Sequence, residues 1–412
     1  MQRFGNAGIE PANFRGGRRL SSSVGSRSVD GRAAVLAGFE TLSTAPEHVF
    51  ANKMMKRVFP QVVDQILVSL HQDGPVGESL AALRDSFLSN DPIPKPSFPD
   101  AMVPESAWRE ASKLIGRSWF ELPSYVGESL FYHLLLDAFG YFDYSSHNYE
   151  RDPFLPGKTR DLLTALHNAR IENTHTLSLR DCLLSSLWGN LSDAAHAQFR
   201  SDHGYEAASG LLLVDDLDRA GRSLALADTV GIIADNAGSE LLADVILAAH
   251  LLGSAPHVRV TIYLKQRPFF ISDATANDFE MTLSAMISVD PALSVLRDEI
   301  RVGRLRVVTH WFFQSPLHYE MIPDDLAADI NGQHITVIKG DLNYRRLLAD
   351  RVTPADHPLE ELLPRLGTSL LILRTMKSDI CAGLPERVVS ELERTTPDWR
   401  FSGRYAVAHF IE

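Results

Sequence analysis

The chain has 412 residues, 45% of them hydrophobic and 22% charged, which is typical of one large or two moderate globular domains. Its 52 acidic and 40 basic residues give a formal net charge of −12, which argues against binding to the phosphates of nucleic acids. The sequence shows no apolar run long enough for a bilayer and no signal-peptide core, and two cysteines are too few for a disulfide framework. We therefore expect a cytoplasmic protein with neither membrane nor nucleic-acid partners.

The first 33 residues form a basic segment that differs from the rest of the chain. Residues 1–32 contain six arginines against Glu10 and Asp30, a local charge of +4, so the remainder carries −12 − 4 = −16. The segment is rich in Gly, Ser and Arg and lacks apolar periodicity, which predicts a disordered tail. An organelle transit peptide is the alternative, although no amphipathic helix is visible.

Residues 34–205 show apolar side chains at helical spacing, beginning with Val49, Met54, Val58 and Val62. A proline-rich loop interrupts them at 90–104. Further helices are predicted at 79–88, 105–114, 125–139, 159–168 and 179–187. Because no alternating strand pattern is visible here, we expect an N-terminal helical domain.

Residues 206–412 alternate short β-branched apolar runs with helical segments. Strands are predicted at 229–234, 258–264, 305–309, 334–338, 369–373 and 405–411. Helices are predicted between most of them, at 239–252, 276–288 and 344–349. This alternation predicts an α/β fold with a mostly parallel sheet that is covered by helices on both faces.

Four polar clusters directly follow predicted strands. They are DNAGSE at 235–240, Ser272-Asp273, KGDLNYR at 339–345 and RTMKSD at 374–379. Ligands bind beyond the carboxyl ends of the strands in an open parallel sheet, so the clusters should converge there. Any one cluster taken alone is explained by a helix cap or a solvated face. Four such clusters at the same edge of a sheet favour a binding site instead.

The residue types in these clusters suggest a metal and a phosphate. Asp235, Asn236 and Asp273 offer oxygen ligands, which favour Mg²⁺ or Mn²⁺ over zinc. Cationic side chains on the same edge suit a phosphoryl group. These cations are Lys339, Arg345, Arg374 and Lys377.

The ordered motifs DNAGSE, KGDLNYR and RTMKSD closely resemble the metal-dependent damage-control phosphatases, also called the acidic-residue methyltransferase-like family. The resemblance covers roughly residues 50–410. It also includes the following shorter segments: Ser118-Trp119-Phe120, Tyr125 and Glu128, Asp152-Pro153-Phe154 with Lys158, Leu187-Trp188-Gly189-Asn190 with Asp193, Pro268–Asp273, and Ser402-Gly403-Arg404-Tyr405. His133 departs from the pattern, since an arginine is expected there, and 195–209 is less typical.

This resemblance implies an N-terminal helical domain (34–205), a Rossmann-like catalytic domain (206–412) and hydrolysis of sugar phosphates such as fructose 1-phosphate or fructose 6-phosphate. Mn²⁺ or Mg²⁺ would be held by Asp235, Asn236 and Asp273, with Co²⁺ or Ni²⁺ able to replace it in vitro. We expect Asp235, Asp273 and Glu240 to be catalytic, with Glu240 positioning water. The expected substrate-binding residues are Asn236, Lys339, Asp341, Asn343, Arg345, Arg374 and Lys377.

Other functions remain as alternatives or are disfavoured. The family resemblance leaves an S-adenosylmethionine-dependent protein carboxyl methyltransferase as the second candidate, although DNAG is a poor glycine-rich turn. A non-catalytic sugar-phosphate-binding protein is the third. Asp215–Asp218 superficially suggests a haloacid-dehalogenase-type phosphatase but is interpreted as a polar segment. No zinc motif, phosphate loop or GxGxxG motif is found.

Overall fold

The computed structural model describes residues 35–168, 177–189 and 210–412. The predicted basic tail and the predicted domain boundary near residue 205 lie outside these residues and stay predictions. Nine strands occur in the described residues. They are β1 (Glu40–Thr41), β2 (Leu212–Asp215), β3 (Thr229–Ile233), β4 (Arg259–Leu264), β5 (Leu305–Thr309), β6 (Ile335–Lys339), β7 (Arg351–Val352), β8 (Ser369–Thr375) and β9 (Ala406–Ile411).

Fourteen α-helices accompany these strands in the same ranges. They are α1 (Val49–Lys53), α2 (Phe59–Ser69), α3 (Gly74–Ser89), α4 (Arg109–Ser112), α5 (Ser124–Phe139), α6 (Leu155–Asn168), α7 (Leu179–Trp188), α8 (Leu217–Leu224), α9 (Ser239–Ser254), α10 (Ala276–Val289), α11 (Val295–Arg301), α12 (Asp324–Asn331), α13 (Gly340–Leu347) and α14 (Glu386–Thr395). Helix α3 begins earlier than predicted because Pro75 fits the first turn, where no amide hydrogen bond is needed. None of the described helices has the length and apolar character needed to cross a bilayer.

Seven strands form one sheet in the order β2-β9-β8-β6-β3-β4-β5, and β1 pairs separately with β7. Strands β8, β6, β3, β4 and β5 run parallel, whereas β9 is antiparallel to β8. The predicted α/β class with a mostly parallel sheet is thus confirmed. The interpretation of Asp215–Asp218 as a polar segment was wrong for Asp215. This residue is the last of strand β2, which pairs with β9.

Both faces of the sheet are buried, as the near-continuous apolar strands require. Val230 and Ile232 of β3 pack into a core with helices α7, α9 and α10. Ile233, the next residue along, points to the opposite face and packs with residues of α12 and α13. The sheet is therefore the middle of three layers, and its strand ends are the accessible part.

Helices α2, α3 and α5 form a separate aromatic core. Phe59 stacks on Phe131 with ring centroids 4.3 Å apart, and Phe87 stacks on Trp119 at 4.1 Å. Helices α6 and α7 do not join this aromatic core. Leu162 of α6 and Leu183 of α7 pack into the core beside the sheet instead. The helical region thus contacts the sheet along two of its own helices.

A buried ion network joins the helical region to the end of α13. The Arg345 guanidinium donates to Asp350 at 2.7 Å, to Glu128 of α5 at 3.0 Å and to the Ser124 hydroxyl at 3.2 Å. The Tyr125 amide donates to the other oxygen of Asp350 at 2.9 Å. The carboxylates and the guanidinium thereby satisfy one another away from water.

Replacing Arg345 with methionine should destabilise the fold strongly. The change leaves Glu128 and Asp350 buried without their cation, a loss that costs about 3–5 kcal/mol. Arg84→Met is the control, since Arg84 pairs with Asp64 at a partly exposed surface, where such pairs contribute about 0–1 kcal/mol. Urea unfolding of both variants measures the difference, and equal midpoints would contradict the structural role of Arg345.

Candidate active site

The loops that follow β3 and β4 meet at the carboxyl edge of the sheet. The Ala237 amide donates to the Ser272 carbonyl at 2.6 Å, and the Ala274 amide donates to the Asp235 carbonyl at 3.0 Å. An isolated antiparallel bridge pairs Asn236 with Asp273. Asp235, Asn236 and Asp273 are therefore brought together, although they come from two loops that are distant in the sequence.

Lys265 lies between the two carboxylates of this edge. Its ammonium is 3.7 Å from an oxygen of Asp235 and 3.7 Å from an oxygen of Asp273, and it also donates to the Asp235 carbonyl at 2.6 Å. The Asp235 Oδ1 atom is buried without a hydrogen bond. Burial raises the pKa of Asp235 to about 8, with Glu240 and Asp273 adding to the rise and Lys265 opposing it.

Asn236 is held in one orientation by its neighbours. Its side-chain oxygen accepts from the Ser272 hydroxyl at 2.6 Å, and its amide donates to Glu240 at 2.9 Å. The other Glu240 oxygen accepts from Lys339 at 3.0 Å. Burial would raise the pKa of Glu240, but Lys339, Lys377 and Asn236 together hold it below its ordinary value. Glu240 therefore orients Asn236 through this hydrogen bond, and its water-positioning role stays a prediction.

Lys339 was predicted to bind substrate, and the structure gives it another position. Its ammonium donates to the Ser186 carbonyl at 2.7 Å and pairs with Glu240 at 3.0 Å and Asp244 at 2.9 Å. An ammonium has three donors, and all three are used inside the protein. Lys339 is therefore a buried support for Glu240, and its contact with substrate stays a prediction.

Arg345 and Asn343 also have partners inside the protein, and their contacts with substrate stay predictions. Helix α13 begins at Gly340, so the side chains of the GDLNYR motif project in different directions around it. Arg345 lies in the buried network with Glu128 and Asp350. The side-chain amide of Asn343 donates to the Lys339 carbonyl at 2.9 Å. Both side chains are buried and fix α13 against its surroundings.

Arg374 and Asp341 form a tight pair at the end of β8. The Arg374 guanidinium is fully buried, lies 4.0 Å from the Tyr344 ring centroid and donates to Oδ1 of Asp341 at 2.7 Å. The Lys377 amide and the Ser378 hydroxyl donate to the same oxygen. Arg374 thus positions Asp341, and its contact with phosphate stays a prediction. Oδ2 of Asp341 receives no hydrogen bond from the described residues.

Lys377 differs from the other cations of the edge. Within the described ranges its half-buried ammonium has no hydrogen-bond or ion-pair partner. Its charge nevertheless lowers the pKa of Glu240 and opposes the rise at Asp235, which places it near the acidic loop. Lys377 is the cation that a bound anion can reach without breaking an internal contact.

Three supporting residues were missed from the sequence. Lys265 directly follows β4, and Asp244 lies one helical turn after Glu240 on α9, so both carried a positional signal. Asp161 of α6 carried none. Its carboxylate accepts from the Ser239 amide at 2.7 Å and the Ser239 hydroxyl at 2.9 Å, and so caps the helix that follows the Asp235–Asn236 pair.

The donor set fits a divalent cation. Six carboxylates surround three buried lysines, a formal charge of 3 − 6 = −3, and Lys377 reduces it to −2. The carboxylates are Asp152, Asp235, Glu240, Asp244, Asp273 and Asp278, and the lysines are Lys158, Lys265 and Lys339. In the described ranges no group of three or more His, Cys, Asp or Glu side chains is placed to hold a metal. The predicted ligand set has only two carboxylates and an amide, so it is not a group of that kind. Its available atom is Oδ1 of Asp235, which is buried and accepts no hydrogen bond.

A cleft of about 690 Å³ lies beside these loops. One wall contains Asn236 and Ser272, and the opposite walls come from α2 and from the segment that begins α6. Its volume is in the range of small-molecule sites. The acidic edge of the sheet therefore borders a space large enough for a metabolite.

An oxygen-lined acidic edge on a Rossmann-like sheet, next to a lysine that has no partner among the described residues, defines a class of site suited to phosphorylated small molecules. The family model of the damage-control phosphatase ARMT1-like domain matches residues 54–392. The chain belongs to this family.

Two relatives agree with this assignment, and one solved structure is similar in fold. The chain is 26% identical to the damage-control phosphatase ARMT1 of Danio rerio, over 90% of this chain and 96% of that protein. It is also 26% identical to the human protein of the same name, over 88% of this chain and 96% of that protein. A DUF89 family protein from Pyrococcus horikoshii shares the fold, with a TM-score of 0.51 and 15% identity over 88% of this chain and 98% of that chain.

Gly340→Ala should displace the Asp235 carboxylate in addition to straining the backbone. Gly340 has φ +81°, and a Cβ there would lie 1.8 Å from Oδ2 of Asp235, so the carboxylate must move. Gly403→Ala is the control, because Gly403 has φ +70° with nothing within 4 Å of its Cβ position. Both variants should lose about 1–2 kcal/mol from the left-handed conformation.

Only Gly340→Ala should also weaken Mn²⁺ binding, by about tenfold or more, because a ligand displaced by roughly 1 Å can cost that much. Isothermal titration calorimetry with Mn²⁺ and urea unfolding separate the two effects. Equal Mn²⁺ affinity in the two variants would show that Asp235 tolerates the displacement.

Lys377→Met should weaken both substrate binding and turnover. Hydrogen bonds to charged groups contribute about 1.5–3 kcal/mol, so kcat/KM for a phosphate ester should fall by about 10- to 100-fold while the protein remains folded. Lys113→Met is the control, since Lys113 is an exposed lysine that pairs with Glu110. Unchanged turnover in Lys377→Met would assign Lys377 to a solvated face.

Proposed function

We propose that this protein is a metal-dependent phosphomonoester hydrolase for small phosphorylated metabolites, with fructose 1-phosphate and fructose 6-phosphate as first candidate substrates. The observation that carries the proposal is the unpaired Lys377 beside the buried pair Asp235 and Asp273. A phosphate dianion needs a cation that can reach it, and the acidic pair needs further positive charge. Family membership supports the same reaction class.

The proposed cofactor is Mn²⁺ or Mg²⁺, held by Asp235, Asn236 and Asp273. When bound, such an ion neutralises phosphate charge and makes the phosphorus more susceptible to attack. The chain prepares the ligands in advance, because Lys265 offsets the repulsion between the two carboxylates and Glu240 fixes the side-chain amide of Asn236. Preorganised oxygens of this kind lose little entropy on binding a metal.

The remaining contacts divide between the two ends of the substrate. The Lys377 ammonium binds phosphate oxygens and balances charge that grows on them as the ester bond breaks. The free Oδ2 of Asp341 can accept a hydrogen bond from a substrate hydroxyl, while Arg374 holds its partner oxygen. A sugar phosphate offers both groups, which favours it over a phosphate ester without hydroxyls.

A phosphate-release screen tests this function. The purified protein is assayed with fructose 1-phosphate, fructose 6-phosphate and other metabolite monoesters, without S-adenosylmethionine, in the presence of Mn²⁺, Mg²⁺, Co²⁺ or EDTA. Chelation should abolish activity and Mn²⁺ should restore it, since the site has only oxygen ligands and exchanges its ion.

Two results would contradict the proposal. Full activity after exhaustive chelation would remove the metal from the reaction. Methyl transfer from S-adenosylmethionine to protein carboxylates, with no phosphate released from any ester, would assign the carboxyl methyltransferase reaction instead. Asp273→Asn serves as the matched inactive control, because it keeps the side-chain shape and removes one charge of the predicted ligand set.

A further inference from the structure

The cleft beside the acidic loops has a chemistry of its own. Its floor is apolar, with Val62 and Ile66 from α2, Phe154 from the segment before α6, and Ile271. It shares a wall with the candidate metal site through Asn236, whose oxygen accepts from Ser272. A phosphate ester held at Asn236 and Asp273 would extend its other end into this space.

Most charged groups along the cleft are already paired. Asp64 accepts from Arg84 at 2.9 Å, Lys158 pairs with Asp152 at 2.8 Å, and the Asp161 carboxylate caps α9. Lys158 also pairs with a second carboxylate and donates to a carbonyl, so it has no donor left. These groups hold the walls together and leave little charge for a ligand.

Arg160 is the exception among the charged residues that line the cleft. Its side chain is exposed, and its guanidinium has no hydrogen-bond or ion-pair partner among the described residues. A planar guanidinium binds carboxylate or phosphate oxygens through two parallel hydrogen bonds. The cleft thus offers an anion-binding group that is separate from Lys377.

We propose that Arg160 binds a second anionic group at the far end of the substrate, so that the preferred substrates are phosphate esters that also carry a carboxylate or another phosphate. This inference rests on the proposed hydrolase function and narrows its substrate class. The apolar floor covers the carbon chain between the two anions. An ester with a single anionic group can contact Lys377 but leaves Arg160 without an anion.

Two matched substrate pairs test the proposal. 3-Phosphoglycerate and glycerol 3-phosphate differ by a carboxylate in place of a hydroxymethyl group, and fructose 1,6-bisphosphate and fructose 6-phosphate differ by a second phosphate. In each pair the ratio of kcat/KM, doubly to singly anionic, is measured for the wild type and for Arg160→Met. Arg117→Met is the control, because Arg117 is exposed and lies outside the cleft.

The ratio should exceed one in the wild type for at least one pair and fall about tenfold in Arg160→Met, while Arg117→Met keeps the wild-type ratio. The pair that responds identifies the second anion as carboxylate or phosphate. An unchanged ratio in Arg160→Met for both pairs would overturn the proposal.

Melting-temperature shifts keep the inference separate from the hydrolase function. A ligand that binds the folded state raises the melting temperature whether or not it reacts. If no ester is hydrolysed, the proposed function fails, but a shift caused by 3-phosphoglycerate or fructose 1,6-bisphosphate that is lost in Arg160→Met still supports the cleft assignment. If neither compound produces a shift and no ester is hydrolysed, the cleft assignment fails as well.

Discussion

A carboxylate buried inside a protein is costly unless a cation or several donors stand beside it, and three buried lysines meet this requirement here. Lys265 lies 3.7 Å from Asp235 and 3.7 Å from Asp273, while Lys339 pairs with Glu240. Lys158 binds the Asp273 carbonyl at 2.7 Å. Six of the carboxylates at this edge are therefore each paired with one of three buried lysines.

This dependence explains why the conspicuous motifs divide into two kinds of residue. In KGDLNYR, the lysine, asparagine and arginine are used to fix α13 and the loops beside it, and Asp341 alone keeps a free oxygen. In RTMKSD, Arg374 holds Asp341, and Lys377 remains unpaired. Motif residues that look equivalent in the sequence thus have separate tasks, with a minority facing the ligand.

The sequence predicted the sheet well because buried parallel strands leave a simple apolar signal. All six predicted strands are present, and the one strand of the main sheet that was missed, β2, ends where a group of aspartates begins. The clustering of Asp235, Asn236 and Asp273 was also predictable, because each follows a strand. The internal ion pairs of Lys339 and Arg345 were not predictable. Their partners Asp244, Glu128 and Asp350 become neighbours only when the chain packs into its tertiary structure.

The position of β9 has a consequence for how the chain folds during synthesis. Strand β2 joins the main sheet through β9, which follows the other strands of that sheet in the chain. The parallel strands β3, β4, β6 and β8 can associate earlier, but β2 has to wait with its backbone groups unpaired in the sheet. Asp215, Asp216 and Asp218 at and beyond its end supply negative charge during that interval, which discourages pairing with a neighbouring chain. The aspartates that obscured this strand in the sequence therefore suit a strand that must stay unpaired until β9 has been synthesised.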